Sequence, residues 1–379
     1  MRILMIIDGL PGGGAEKVVL TLAAGFVAQH HQVSLFSLRD VCEYPVPEGV
    51  DYQTIADHSR APWRKLTELR RRAAMLDAAI QRAQAQQGPF DLVLSNLHKT
   101  DRIVARSRAL NPNNVWFCLH GMFSPSYLGH RTGLSRWLKR VKIQRVYQQR
   151  NIVAVSQAVL SDLQSAFQVR PSNAAVINNP FDFAAIAALA DQPCERAGTD
   201  YLVHVGRFHP NKRHDRLIRA YALSGIEMPL VLLGKGRDEE VQRIRQLAVE
   251  LGVADRVIFQ GFCDNPYPYI RHARLLVLSS DSEGFGNVLV EALSCGTPVV
   301  STRCPGGPEE ILTGPLAQGL AALTDDSLAA ALKSVLASPP EIDKSQLERY
   351  RIESICAAYL ALAARKPATD RRDVTAKHP

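Results

Sequence analysis

Between Arg274 and Val300 the chain reads RLLVLSSDSEGFGNVLVEALSCGTPVV. An apolar run with no polar alternation behaves as a strand buried on both faces. A polar, glycine-broken turn follows, and then Val288, Leu289, Ala292 and Leu293 recur at helical spacing. Gly296 closes that helix and Pro298 opens the next apolar run. Strand, loop, helix and strand make one βαβ step of a parallel sheet. The loop meets the start of the helix, where free N–H groups and the helix dipole attract anions, and α/β proteins hold phosphorylated ligands at such strand ends. Glu283 falls in the loop and Glu291 in the helix. A carboxylate beside a phosphate repels it, so Glu283 calls for hydroxyl groups on an attached sugar or ribose.

The same step repeats along the chain. RILMIID is a buried strand, and GLPGGGAEKVVLTLAAGFVAQ turns through glycines into a helix with Val18, Val19, Leu22, Ala23 and Phe26 inward. VSLFSL, DLVLSN, NVWFCLHG and NIVAVS follow as short strands, with helical stretches such as Trp63 to Gln87 between them. A second series begins at YLVHVGR and runs through PLVLLGKG, RVIFQGF, RLLVLSS and TPVVST. A chain of 379 residues suits two domains. The expected division is a Rossmann-like domain over 1–175, a linker over 176–199, a second Rossmann-like domain over 200–345, a helix over 346–364 and a disordered tail over 365–379.

A net charge of +8 favours anionic partners: nucleic acid, an acidic membrane face or phosphorylated small molecules. The basic excess concentrates between Arg131 and Arg150, a stretch without an acidic residue, where Leu134, Trp137, Leu138 and Val141 repeat at helical spacing. It reads either as a helix packed on its own domain or as a surface helix drawn to anionic lipid. No RNA-binding module or aromatic stacking pattern accompanies the charge, so nucleic acid is not an expected partner. Seven scattered cysteines, with no metal-ligand spacing, fit a reducing, cytoplasmic location. The first strand is too short for a signal peptide, and no apolar run is long enough to span a bilayer, leaving peripheral contact at the inner membrane face.

Other residues stand where strands end. Gly12, Gly13 and Gly14 admit close backbone approach to a ligand or a plain tight turn. Lys17 occupies the position where a dinucleotide fingerprint needs its third glycine, which disfavours a nicotinamide cofactor. In HVGRFHPNKRHDRLIRAY, Arg207 and Lys212 can converge on a phosphate, while Arg213, Arg216 and Arg219 are expected to face water. His120 follows another strand, with His98 and Lys99 as weaker candidates for the same region.

Together these segments resemble the family 4 glycosyltransferases, retaining enzymes of the two-Rossmann GT-B architecture. Glu283 and Glu291 match the family's Glu-x7-Glu pattern, and GGGAEKVV, VGR…NK, LLGKG and FQGF occur in family order. The resemblance implies two domains facing each other across a cleft, with the last helix crossing back to the first. By it, Glu283 faces hydroxyls of the donor sugar and Glu291 the nucleotide ribose. Arg207 and Lys212 neutralise the diphosphate, aided by backbone N–H groups of Gly284, Phe285, Gly286 and Asn287. Gly13 and Gly14 close over the diphosphate, His120 approaches the sugar, and the base rests against Phe262 and Cys263 near Lys235. The donor is a nucleotide sugar, expected to be UDP-linked, with no cofactor or metal required; no Asp-x-Asp pair occurs in the chain. The opening is similar to bacterial enzymes that build lipopolysaccharide or lipid-linked oligosaccharide, so the acceptor is expected to be a cell-envelope glycan or lipid-linked sugar. A catalytically silent nucleotide-sugar-binding subunit, or another GT-B enzyme such as a sugar epimerase, is the alternative.

Overall fold

In the computed structural model, residues 1–59, 64–129 and 131–365 are described, and the side chains of 64–66 are not. The expected tail after residue 365 lies outside the described residues. Two compact units emerge. The first holds Met1–Val155, Val159–Pro180 and the chain from Ile352, and the second holds Ser156–Ala158 and Phe181–Arg351.

The chain runs β1 (Arg2–Ile7), α1 (Gly14–Ala28), β2 (Gln32–Ser37), β3 (Val50–Thr54), α2 (Arg64–Gln87), β4 (Leu92–Asn96) and α3 (His98–Val104). It continues through β5 (Val115–Leu119), α4 (Gly133–Tyr147), β6 (Asn151–Ala154), α5 (Gln157–Phe167) and β7 (Asn173–Val176). These strands form one seven-stranded sheet in the order β3-β2-β1-β4-β5-β6-β7, every pair parallel. Strand order reverses between β1 and β4, the place where an open α/β sheet parts its loops and makes room for a ligand.

The second series is α6 (Phe183–Ala190), β8 (Leu202–Val205), α7 (His214–Ser224), β9 (Leu230–Leu233), α8 (Asp238–Glu250), β10 (Val257–Gly261) and α9 (Tyr267–His272). Then come β11 (Leu275–Leu278), α10 (Asn287–Cys295), β12 (Val299–Thr302), α11 (Pro308–Ile311), β13 (Leu320–Ala321) and α12 (Asp325–Ala337). Its six parallel strands are ordered β10-β9-β8-β11-β12-β13, and the reversal falls between β8 and β11. Both sheets are therefore Rossmann-like, the pair that defines the GT-B fold.

Each unit has its own apolar core. In the first, strand residues Ile3, Met5, Leu94 and Trp116 pack with Val19 and Phe26 of α1, and Ile355, Cys356 and Tyr359 of α13 (Ile352–Leu360) complete that core. In the second, Leu202, Leu230 and Val277 pack with Leu217 and Tyr221 of α7 and Leu332 of α12. The segment expected as a linker divides differently: Val176 ends β7 of the first sheet, while α6 buries Ile186 and Ala190 within the second unit.

Candidate functional site

In the second unit the reversal brings the loops after β8 and β11 side by side. Asp281 N–H donates to Asn211 O at 2.9 Å, Asn211 Nδ2 to Ser282 O at 2.6 Å, and Ser282 Oγ returns to Asn211 Oδ1 at 2.9 Å. Ser279 Oγ also donates to Lys212 O at 2.8 Å. This lacing fixes where two charged side chains go: Lys212 Nζ lies 2.6 Å from Glu283 Oε1, which also accepts from Ser280 Oγ at 2.5 Å. The two side chains are mostly out of water, 25% and 11% exposed, so the pair is held rather than transient. An ammonium has three donors, and one bond to Glu283 leaves two for a further anion. The sequence set Lys212 on phosphate and Glu283 on hydroxyls; the structure joins them to each other. Arg207 is different. It is exposed beside Gly206, with no hydrogen-bond or ion-pair partner among the described residues.

The loop carrying Glu283 is braced by a segment the sequence reading passed over, Cys304-Pro305-Gly306-Gly307 after β12. Glu283 N–H donates to Pro305 O at 2.9 Å. A Cβ on Gly307 would stand 2.0 Å from Phe285 O, so only glycine lets the two backbones touch. The Pro-Gly-Gly turn after an apolar run was the available signal. Gly286, with φ of 93°, turns the chain left-handedly into α10, whose first residue is Asn287. Ser156 Oγ donates to Gly284 O at 2.8 Å, a further brace not foreseen. Phe285 is buried, and Glu291 on α10 accepts from Tyr267 Oη at 3.0 Å. Lys235 places Nζ 4.0 Å from the centre of the Phe262 ring, itself 54% exposed, a cation–π pair on an open surface. Cys263 donates Sγ–H to Asn265 O at 3.1 Å, and burial pushes its thiol pKa up.

One expectation fails here. Arg216 does not face water: it is 4% exposed, bonded to Ser279 O at 2.9 Å and paired with Asp281 at 2.7 Å. Arg213 pairs with Asp215 and Asp281, and Arg219 with Asp215. These arginines carry the scaffold under the loop, and their side chains lie against carboxylates that helical spacing alone does not reveal.

In the first unit Gly13 caps α1 and Gly14 begins it. Asp8, directly after β1 and not singled out from sequence, is buried. Arg39 Nε lies 2.8 Å and Arg72 Nη2 3.1 Å from its carboxylate, with Lys99 at 3.9 Å. After β4, Asn96 donates Nδ2 to Ile6 O and Leu94 O, which fixes its Oδ1 as the acceptor facing His120 Nε2 at 2.9 Å. His120 therefore carries its proton on Nε2. Its Nδ1 is a bare acceptor closed to solvent, with no partner among the described residues. Burial lowers the ring's pKa to about 4, so it is neutral at pH 7. Leu97, next to Asn96, sits at φ 72° and ψ 141°, a conformation that costs a branched side chain roughly 1–3 kcal/mol. Strain of that kind at a strand-order reversal marks a loop shaped for a ligand.

His98 points elsewhere than expected. Its Nδ1 meets Tyr147 Oη at 2.9 Å, and that hydroxyl donates to buried Asp101 at 2.6 Å. Burial, with the charges of Arg102 and Lys139, lowers His98 to about 4. The same burial pushes Asp101 up to about 8, against the hydrogen bonds from Ser95 and Tyr147. On α4, Leu134, Trp137 and Leu138 are 71%, 57% and 47% exposed, so the early turns of this helix do not bury the apolar stripe. Among the described residues no helix is long and apolar enough to cross a membrane, and no cluster of three or more His, Cys, Asp or Glu could hold a metal ion.

Two family models match in series. "Glycosyltransferase Family 4" matches residues 12–185 and "Glycosyl transferases group 1" matches residues 189–352. With the paired Rossmann-like sheets, these matches make the chain a GT-B-fold glycosyltransferase. Among its relatives is the Campylobacter jejuni N-acetylgalactosamine-N,N'-diacetylbacillosaminyl-diphospho-undecaprenol 4-alpha-N-acetylgalactosaminyltransferase, 28% identical over 81% of this chain and 82% of its own. The Rhizobium meliloti lipopolysaccharide core biosynthesis glycosyltransferase LpsE is 35% identical over 45% of this chain and 52% of its own. Anabaena HepE, solved with UDP and glucose, has the same fold: TM-score 0.75, 22% identity, 96% of this chain and 99% of that one.

Proposed function

We propose that the protein transfers a sugar, with retention at the anomeric carbon, from a UDP-sugar to a lipid-linked or lipopolysaccharide-type acceptor. The observation that carries this reading is the braced Lys212–Glu283 pair beside unpaired Arg207, at the strand-order reversal and the start of α10. Leaving-group departure concentrates negative charge on a diphosphate. Arg207 and the free donors of Lys212 meet that charge, with the N–H groups at the head of α10, and supply what a divalent ion would otherwise supply. Glu283, held by Lys212 and Ser280, keeps one oxygen for a donor-sugar hydroxyl, and Glu291 takes the ribose. Lys235 and Phe262 offer an open face for the base, and Gly13 and Gly14 close approach to the diphosphate. His120, its ring direction set by Asn96, is assigned to the sugar, and its Nδ1 reaches a hydroxyl only once the residues that cover it move. The departing diphosphate takes the acceptor's proton as the new glycosidic bond forms on the same face. That HepE was solved with UDP and glucose, and that the Campylobacter relative is named for an undecaprenol-diphosphate-linked acceptor, support the donor and acceptor classes.

In a panel of nucleotide sugars with donor hydrolysis or transfer as the readout, Arg207→Ala and Glu283→Ala are each expected to lower turnover about 100-fold or more. Full turnover in both variants rejects the site. A catalytically silent subunit is the reading left if the wild type binds UDP-sugars and turns none over.

We also propose that the protein works at the cytoplasmic face of the inner membrane, with α4 as its contact. Exposed Leu134, Trp137 and Leu138 supply apolar insertion, and Arg136, Lys139 and Arg140 attract anionic lipid. Flotation with anionic vesicles should drop several-fold when those three cations are changed to Gln. Equal flotation rejects the contact.

A further inference from the structure

Helices α3 and α4 of the first unit, with Tyr127 on a short π turn between them, enclose a cavity of about 360 Å³. Lys99, Arg102, Arg106, Lys139, Lys142 and Arg145 line it, and no carboxylate does. Among the described residues only Lys99 of these has an ion-pair partner, Asp8 at 3.9 Å. Asp101 is adjacent in sequence but buried beneath, bonded to Ser95 and Tyr147. Apart from Lys99, the cations of the cavity wall have no carboxylate partner among the described residues. Like charges crowded at this spacing destabilise a fold, and they persist where a ligand supplies the opposite charge.

The geometry constrains that ligand. Arginine and lysine donors from two helices and the Tyr127 hydroxyl all point to a group rich in acceptor oxygens, for which guanidinium forks suit phosphate. The cavity is larger than one phosphate needs. On α4, Leu138 stands next to Lys139 and one turn before Lys142, so the exposed Leu134–Trp137–Leu138 face adjoins the cavity's cationic wall. A charged cavity beside an open apolar face suits a molecule with a phosphorylated head and a hydrocarbon tail. Resting on the acceptor class argued above, we propose that this cavity is the subsite for the phosphate or diphosphate head of the acceptor lipid. It shares no residue with the Arg207–Lys212–Glu283 cluster.

The test uses the full-length protein and two probes: inorganic pyrophosphate, followed by titration calorimetry, and phosphatidylcholine vesicles with or without phosphatidic acid, followed by flotation. Arg102→Gln/Lys142→Gln is expected to weaken pyrophosphate binding at least about tenfold, while Arg207→Ala leaves the cavity's share of binding intact. The double variant should also weaken phosphatidic-acid-dependent flotation, down to the share carried by Arg136, Lys139 and Arg140. Pyrophosphate sensitivity without vesicle sensitivity assigns the cavity to a free phosphorylated head, and the reverse assigns it to a membrane-borne one. If neither probe responds to the double variant, or if pyrophosphate binding vanishes in Arg207→Ala alone, the proposal is overturned. Arg106→Gln/Arg145→Gln serves as the second pair should the first fail to fold. Donor turnover is measured separately: cavity-dependent pyrophosphate binding in a protein with no turnover rejects the transferase reading and leaves the anion site standing.

Discussion

The two units carry comparable clusters of basic side chains and treat them in opposite ways. Under the loop after β11, Arg213, Arg216 and Arg219 are tied to Asp215 and Asp281, and Lys212 to Glu283. Around the α3–α4 cavity the cations line one space, and among the described residues only Lys99 of them has a carboxylate partner. In the first arrangement the charge is spent on holding a loop in place. In the second it is available to something outside the fold. Among the described residues, Arg207 beside the loop after β8 has no ion-pair partner, and it is the one proposed to bind diphosphate.

The contrast can be broken most directly at Asp281. Asp281→Ala leaves Arg216, 5% exposed in its side chain, without its carboxylate. A fully buried pair broken this way costs about 3–5 kcal/mol. Asp281 is itself 43% exposed, and Arg216 keeps its bond to Ser279 O, so about 2–3 kcal/mol is expected from denaturant unfolding. A loss below about 0.5 kcal/mol would mean that the pairing is ornamental.

Acid should separate the units more gently. Burial lowers His98 and His120 in the first unit, each to about 4, and His204 in the second to about 4; His214 is lowered too, by burial and by His204 and Lys212. Each of these histidines is neutral when folded and protonated when unfolded below about pH 6.5, so each removes stability as pH falls from 6 to 5. Asp101 acts in the other sense. Its carboxyl stays protonated when folded up to about pH 8, so its contribution fades as pH rises and returns on acidification. Asp101 therefore offsets part of the first unit's loss in that window, and the second unit loses stability more steeply. Hydrogen exchange resolved by unit and corrected for intrinsic rates should show the second opening earlier. Equal slopes contradict the assignment of Asp101.

The smallest effect is expected at the cavity. Arg102→Gln/Lys142→Gln removes repulsion and no ion pair, so unfolding stability should move by no more than about 0.5 kcal/mol, upward if at all. A large loss would show that these cations support the fold after all.

Much of the architecture was legible in the chain because parallel strands buried on both faces are written as uninterrupted apolar runs. RILMIID, DLVLSN, YLVHVGR and RLLVLSS became β1, β4, β8 and β11, and the turns after them lie where the strand orders reverse. Of the edge strands, RVIFQGF was read as β10, but others escaped notice. Val50–Thr54 is half-exposed and polar, and Leu320–Ala321 is too short to show a pattern. Of the site, Glu283, Lys212 and Arg207 were readable from type and place. That Lys212 and Glu283 meet was not, since they stand 71 positions apart and only the lacing through Asn211 joins them. The role of Asn96 in setting His120 depends likewise on a contact across neighbouring strands. Leu134, Trp137 and Leu138 read equally as a packed stripe or a lipid-facing one, because helical period alone cannot say what covers it.

The return of the chain to its starting unit has a consequence for synthesis. Ile355, Cys356 and Tyr359 of α13 fill a gap against α1 in the core that begins with β1. On the ribosome, that gap stays open until all of Phe181–Arg351 has emerged. The unit made second is complete first, and the nascent first unit waits with an apolar face of α1 uncovered. A chaperone that recognises exposed apolar helix faces would find its target there, and a chain shortened before Ile352 would present that face permanently.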